Sequence, residues 1–317
     1  MFIPDSPPSE TYLHAHRVVL IPAYNEERFI GSLVLQARQY AGTVIVVNDG
    51  SKDDTARIAR DAGATLVEHE ANQGKASAMN SGFFYIRLMA KEMQDNVLAV
   101  VILDGDGQHF CSDIPAVTAP IFAGDADIVI GSRFLAVKSR IPRWRIFGQQ
   151  ALTAVTNLSS GSRVTDSQSG FRAFSAKALN TLDFESEGFS VESEMEFLAQ
   201  ENHLQVVEVP IRASYLEPSK RNPVGQGMNV LNGILKFMGQ YRPLLIFSIS
   251  GMTLLLVGIG WGVVVVERFD TTGHLAIGYA MICLLLSIIG MILISTGFTL
   301  HSVRELLIEY MQPLKNK

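Results

Sequence analysis

Two carboxylates, Asp104 and Asp106, stand where an apolar run stops. Val97 to Leu103 reads VLAVVIL, uncharged and rich in β-branched residues, the composition of a strand buried on both faces. It ends abruptly in Asp104, Gly105, Asp106, Gly107, Gln108 and His109. The acids therefore fall at a strand's carboxyl end, the edge of an open α/β sheet where ligands bind. Separated by one residue and flanked by glycines, they can converge on a hard divalent cation, which in turn holds a diphosphate.

Other polar residues gather at comparable positions. Tyr24, Asn25 and Glu26 follow one apolar run, RVVLIP, and Asp49 follows a second, TVIVVN. Asp49 can accept from the imino N–H of a base, and Tyr24 offers a flat face and a hydroxyl. Taken singly, Asp49 reads more readily as a turn residue and Tyr24 as a packing residue. Lys75, just after Gly74 at a helix start, suits either a phosphate or solvent. Arg133 ends another strand and can fork onto a phosphate, a service equally open to Arg143 or Arg145 in RIPRWRIFG. Glu192 and Glu194 read as first-turn helix acids favoured by the dipole. Arg212, Lys220 and Arg221 lie on an irregular segment, either a loop closing over a diphosphate or a basic patch beside anionic lipid.

The elements that must position these groups alternate. Strands are expected at 17–22, 43–48, 64–68, 97–103, 127–130 and 205–209, with helices following the first four. That order predicts a mainly parallel sheet with crossover helices. No GxGxxG follows the first strand and no GxxxxGK[ST] occurs, so neither a dinucleotide fold nor a P-loop is indicated.

Composition adds a membrane. Charged residues are 18% of the 317 and the mean hydropathy is +0.21. The apolar excess lies at the end: Pro243–Val266 and Leu275–Leu300 carry no charge, and each is long enough to cross a bilayer as a helix. Val230, Leu231, Ile234, Leu235 and Met238 fall at helical spacing ahead of them, as in a helix lying in the interface. Lys236 and Arg242 precede the spans, Arg304, Lys315 and Lys317 follow, and the connection ERFDTTGH is net negative. This bias predicts both flanks, and with them the catalytic domain and C-terminus, on the cytoplasmic side. A net charge of −5 argues against nucleic acid as a partner, and two cysteines, Cys111 and Cys283, form neither a disulfide framework nor a zinc site. The N-terminus lacks the pattern of a signal peptide. The expected organisation is a flexible tail at 1–15, a catalytic domain at 16–228, an interfacial helix at 229–241, two transmembrane helices at 242–300 and a C-terminal segment at 301–317.

Six stretches, in order, resemble a known family: PAYNEE at Pro22–Glu27, VVNDGSKDDT at Val46–Thr55, NQGKASAMNSG at Asn72–Gly82, LDGDGQH at Leu103–His109, IGSRF at Ile130–Phe134 and DSQSGFRAFS at Asp166–Ser175. They look like family 2 glycosyltransferases, more narrowly the dolichol-phosphate mannose synthase group acting on polyprenyl phosphates. The resemblance covers about Arg17 to Val230. It implies an A-type glycosyltransferase fold and inverting transfer from a nucleotide sugar, GDP-mannose or a UDP-sugar, to a polyprenyl or dolichyl phosphate. By the same resemblance Pro22, Tyr24, Glu26 and Asp49 match nucleoside-holding positions, and Asp104, Asp106 and Gln108 match positions for Mg2+ or Mn2+ and diphosphate. Arg133, and an arginine near Arg145, match acceptor-phosphate positions; Arg212, and less closely Lys220, match residues that reach the donor diphosphate. Asn48 stands where relatives commonly carry a second Asp.

An attacking phosphate oxygen is already ionised, so the expected chemistry needs positioning by arginines more than a general base. A processive polysaccharide synthase shares the fold, but its Glu-Asp pair and QxxRW motif are missing; the only Arg-Trp, Arg143–Trp144, follows SRIP. A silent membrane module binding nucleotide sugars is the remaining alternative, and the intact motif series argues against it.

Overall fold

The computed structural model describes residues 9–93, 99–135, 149–213 apart from 151, 155, 158–159 and 185–190, and 243–315. They form two units, Met1–Gly233 and Ile234–Lys317.

In the first unit the chain runs α1 (Glu10–Ala15), β1 (Arg17–Ala23), α2 (Ile30–Ala37), β2 (Thr43–Asn48), α3 (Thr55–Asp61), β3 (Thr65–Glu68), α4 (Lys75–Met93) and β4 (Ala99–Ile102). There follow α5 (Ile114–Phe122), β5 (Ile128–Ser132), β6 (Arg172–Ser175), α6 (Ala176–Thr181), α7 (Val191–Glu201) and β7 (Val206–Pro210). The strands make one sheet in the order β3-β2-β1-β4-β6-β5-β7.

Alternation along the strands explains the two layers of core. Val19, Ile21, Val44, Val46 and Val101 face α2 and α5, meeting Ile30, Leu33, Ile114 and Val117. Their neighbours Val18, Leu20, Ile45, Val47 and Val100 face the opposite side, meeting Met79, Phe83 and Ile86 of α4 and Met195 of α7. Each such side chain contributes about 1.5–3 kcal/mol on burial, and the centres of β1, β2 and β4 are apolar throughout. The expected α/β architecture is observed, with one difference. β6 runs antiparallel between β4 and β5, Arg172 lying opposite both Ile102 and Ile130. The sheet is mixed, and β6 brings a loop back to the edge where the acids lie.

The expectation of a loose tail over 1–15 needs correction at its end. Ser9 caps α1 by accepting from Tyr12 N (3.3 Å), and Glu10 meets Arg17 Nη1 at 2.6 Å. Arg17 is buried and needs a counter-ion, and the helix supplies it.

The second unit holds two helices long and apolar enough to cross a membrane, Pro243–Thr272 and Ile277–Arg304. The first opens with a π-helical turn, Leu244–Ser248, and continues as α8 (Ile249–Thr272); the second is the start of α9 (Ile277–Lys315). Gly273, at φ 67°, ends α8 in a left-handed cap. The helices meet through small residues: a Cβ on Gly251 would lie 2.6 Å from Gly290 O, and one on Gly258 2.7 Å from Ser287 Oγ. Outward they present Leu256, Ile259, Val263, Leu284, Met291 and Ile292. The interfacial helix expected at 229–241 lies outside the described residues.

Candidate active site

The loops leaving β1 and β2 are laced together before either can carry a ligand. Asn25, at φ 55°, donates its backbone N–H to Ser51 Oγ (3.0 Å) and accepts from Lys52 N (2.9 Å); Glu26 N donates to Thr55 Oγ1 (2.8 Å). Asn48, the departure from the family pattern, closes the next turn by accepting from Ser51 N (3.2 Å). Tyr24 projects from this edge, 38% exposed, while Pro22 lies opposite Val47 of β2. The Glu26 side chain passes Gly105, at which a Cβ would be 3.3 Å from Glu26 Cγ.

Asp49 is buried. Its carboxylate accepts from His69 Nδ1 (2.7 Å), Gln73 N (2.9 Å) and Gly74 N (2.8 Å), taking up three of its roughly four acceptor positions. It pins the loop that delivers α4. Gly50 permits this closeness: at φ 66°, a Cβ there would lie 2.6 Å from Asn72 N. His69 is held in turn by Ser81 Oγ (2.9 Å), a contact that no local sequence pattern announces.

Lys75 opens α4 and is not a solvated helix charge. Its ammonium lies between the carboxylates of Asp104 and Glu192, the latter at 2.6 Å. Burial pushes the Lys75 pKa down, but the two carboxylates outweigh it and hold the ammonium more firmly protonated than usual. Burial likewise raises the Asp104 carboxyl, and Lys75, His109 and Arg133 overturn that, keeping it below the ordinary carboxylate range. Glu192, read from sequence as a helix-dipole acid, is a member of the site. Glu194, two residues on, is buried.

Asp104 and Asp106 close the end of β4, where Asp106 accepts from Gln108 N (3.0 Å). Space for the Asp104 carboxylate exists because residue 170 is glycine; a Cβ there would overlap Asp104 Oδ2. His109 packs edge-on to Phe171, with Nε2 4.0 Å from Asp104 Oδ2 and Nδ1 buried without a hydrogen-bond partner among the described residues. Among the described residues no group of three or more His, Cys, Asp or Glu side chains is placed to cage a metal ion. Two adjacent carboxylates on a glycine-relieved turn fit a hard ion of the Mg2+ or Mn2+ kind that takes its remaining ligands from substrate phosphate and water.

Arg133 ends β5 buried, in a fork on Asp166: Nε to Oδ2 and Nη2 to Oδ1, both 2.7 Å, with its backbone N–H 3.1 Å from Oδ2. Arg172, fully buried, stiffens the same loop by donating to Ser167 O (2.7 Å), Ser169 O (3.0 Å) and Glu196 Oε1 (3.0 Å). Arg212 is drawn onto Asp113, Nη2 lying 2.5 Å from Oδ1, and sits 5.4 Å over the Phe110 ring. Arg143, Arg145 and Lys220 lie outside the described residues, as does Arg221. The structure thus brings Asp104, Lys75 and Glu192 into one ionic cluster, close enough to Arg133 for its charge to be felt at Asp104.

A mixed sheet with helices packed on it, polar groups at the strand ends, an acid pair after the fourth strand and a buried arginine after the fifth defines an α/β fold with a polar site at its strand ends. The Glycosyl transferase family 2 profile matches residues 18–183, and the chain belongs to that family; it is a glycosyltransferase. It is similar to a UDP-N-acetylglucosamine–dolichyl-phosphate N-acetylglucosaminyltransferase of Methanococcus voltae, 34% identical over 72% of this chain and 94% of that one. It is also similar to a polyprenol monophosphomannose synthase of Mycolicibacterium smegmatis, 25% identical over 61% of this chain and 76% of that one. These relatives support the resemblance to the polyprenyl-phosphate group. The fold matches a crystal structure of glucosyl-3-phosphoglycerate synthase from Mycobacterium tuberculosis in complex with Mn2+, UDP and phosphoglyceric acid, with a TM-score of 0.56, 20% identity and coverage of 73% of this chain and 83% of that chain.

Proposed function

We propose that this enzyme transfers a sugar, with inversion, from a nucleotide-diphosphate sugar to a polyprenyl or dolichyl phosphate. The observation that carries this reading is the Asp104 carboxylate, which follows β4 two residues ahead of Asp106 and is neutralised by the ammonium of Lys75. An acid so placed is ready to exchange one cation for another. Asp104 and Asp106 would hold Mg2+ or Mn2+, which would supply Lewis-acid neutralisation of the departing diphosphate. A solved structural neighbour is described with Mn2+ and UDP together, which supports that assignment.

The chain's own residues do the rest. Tyr24 offers its ring to the nucleoside at the edge of β1, and Asp49 fixes the loop beside it. Lys75, which lies against Asp104, would stay in reach of the donor diphosphate. Arg133, held by Asp166, orients the acceptor phosphate. That phosphate is ionised at neutral pH, so positioning replaces a general base. The Methanococcus relative, whose name carries UDP-N-acetylglucosamine, favours a UDP-sugar over GDP-mannose. The charge bias flanking the two apolar helices favours a cytoplasmic catalytic unit and C-terminus, with residues 229–241 lying in the interface.

Purified full-length protein incubated with polyprenyl phosphate and a panel of UDP- and GDP-sugars should yield one glycolipid, identified by mass, and none after chelation. Transfer only to a soluble phosphate acceptor, or chain extension of a polysaccharide, would overturn the assignment.

A further inference from the structure

A glutamate in the middle of an edge strand calls for a reason. β7 reads VVEVP, and Glu208 is the charged residue between Val207 and Val209. β7 pairs in parallel with β5, so that Glu208 stands opposite Ile130 and Pro210 opposite Ser132. From there its carboxylate grips the loop that approaches β6. Oε2 accepts from Thr165 N (2.8 Å), while Oε1 accepts from Thr165 N (2.9 Å), Thr165 Oγ1 (2.9 Å) and Asp166 N (3.1 Å).

Thr165 is also tied to the strand it passes, its Oγ1 lying 2.7 Å from Ser132 Oγ, which accepts from Phe134 N (3.2 Å). The residue whose backbone Glu208 fixes, Asp166, is the fully buried acid that holds both the guanidinium and the backbone N–H of Arg133. A buried bidentate pair has little freedom of its own, and wherever the Asp166 backbone goes the guanidinium follows. One carboxylate on β7 thus sets the height of a second carboxylate, and the second aims the arginine.

We propose that Glu208 is a positioning residue for Arg133, acting through Thr165 and Asp166, and that it thereby tunes recognition of the phosphate that Arg133 meets. This rests on the reading of Arg133 as the acceptor-phosphate residue. Losing Glu208 leaves two consecutive backbone N–H groups without their acceptor and lets the loop move. Shifts of that kind penalise oriented binding steeply even when no contact to substrate is removed.

The test is a double-mutant cycle on the full-length enzyme with Glu208→Ala, Arg133→Ala and the double variant, reading kcat and KM separately for polyprenyl phosphate and for sugar nucleotide, with thermal melts as a fold check. Glu208→Ala should raise KM for the lipid phosphate about ten-fold and change KM for the sugar nucleotide by less than about two-fold. Added to Arg133→Ala, it should cost less than about two-fold more. Glu208→Gln, which keeps an oxygen for the two amides, should restore most of the loss. If Glu208→Ala does not fold, Glu208→Asp, one methylene too short to reach, carries the same cycle. Additive penalties overturn the coupling of Glu208 to Arg133 whichever substrate they fall on. A shared, non-additive penalty falling on the sugar nucleotide would keep the coupling and overturn the acceptor reading.

Discussion

The Lys75 ammonium and the Glu192 carboxylate, 2.6 Å apart, join the first residue of α4 to the first turn of α7. The same ammonium also meets Asp104, so the start of α4 pairs with two acids that are far apart in sequence. A cation is therefore part of the site before any ligand enters.

The exchange of one cation for another can be measured without turnover. Lys75→Met removes the ammonium that competes for Asp104, so Mn2+ binding in the absence of nucleotide, followed by electron paramagnetic resonance, should tighten about ten-fold. Under the proposed function transfer should nevertheless fall, because the same ammonium would face the donor diphosphate. Weaker metal binding in the variant would mean that Lys75 holds Asp104 in shape and does not compete for it.

Gly170 is the second probe. Gly170→Ala places a Cβ where Asp104 Oδ2 now lies, so the carboxylate must turn away. Metal binding and transfer should drop together, to a level near those of Asp104→Ala and Asp106→Ala, while the thermal midpoint changes little for the two Asp variants at the sheet edge. A fully active Gly170→Ala enzyme would show that Asp104 has room to spare.

His109 sets a pH window for stability. Burial pushes its pKa from 6.5 down to about 4; Asp104 works against this, and Arg133 and Lys75 reinforce it. The folded protein thus keeps His109 neutral while the unfolded chain protonates it near 6.5. The contribution is fully present above that pH and is lost progressively as pH falls towards 4. Thermal midpoints of the metal-free protein should decline over this interval, and the decline should flatten in His109→Phe. An unchanged slope in that variant would assign the acid sensitivity elsewhere.

The anchor can be removed cleanly. Truncation before Leu244 leaves Asp49, Asp104 and Asp106 in place, so sugar-nucleotide binding by calorimetry should stay within about two-fold. Transfer to a long-chain polyprenyl phosphate should fall steeply, because the acceptor phosphate is found only at the level of lipid headgroups. Full-length rates from the truncated protein would reduce the apolar helices to a retention device.

Strands β1, β2 and β4 were legible because runs of Val and Ile that are uncharged and short admit little else in an α/β chain. The acid pair was legible for the same reason, since it marks where such a run ends. β6 was not: four residues, RAFS, beginning with an arginine that is buried only because Ser167, Ser169 and Glu196 accept from it, carry no strand pattern. Nor could spacing reveal that Asp49 spends its lone pairs on His69 and a loop, that Arg212 folds onto Asp113, or that Glu192 leaves the helix dipole for Lys75. Those partners lie from 20 to 117 residues away, and a local reading weighs each charge against its neighbours in sequence. Glu208 was overlooked similarly, being an unremarkable residue in an edge strand until the loop it holds is seen.

The antiparallel strand inside the sheet has one more effect. Because β6 lies between β4 and β5, the acid at the end of β4 and the arginine at the end of β5 are two strands apart instead of one. Two interstrand steps amount to roughly 9–10 Å of backbone separation. The sheet therefore acts as a ruler: the spacing between the strand ends that lead into Asp104 and Arg133 is graduated by hydrogen-bonded ladders on either side of a single strand, and the loops beyond those ends only trim it.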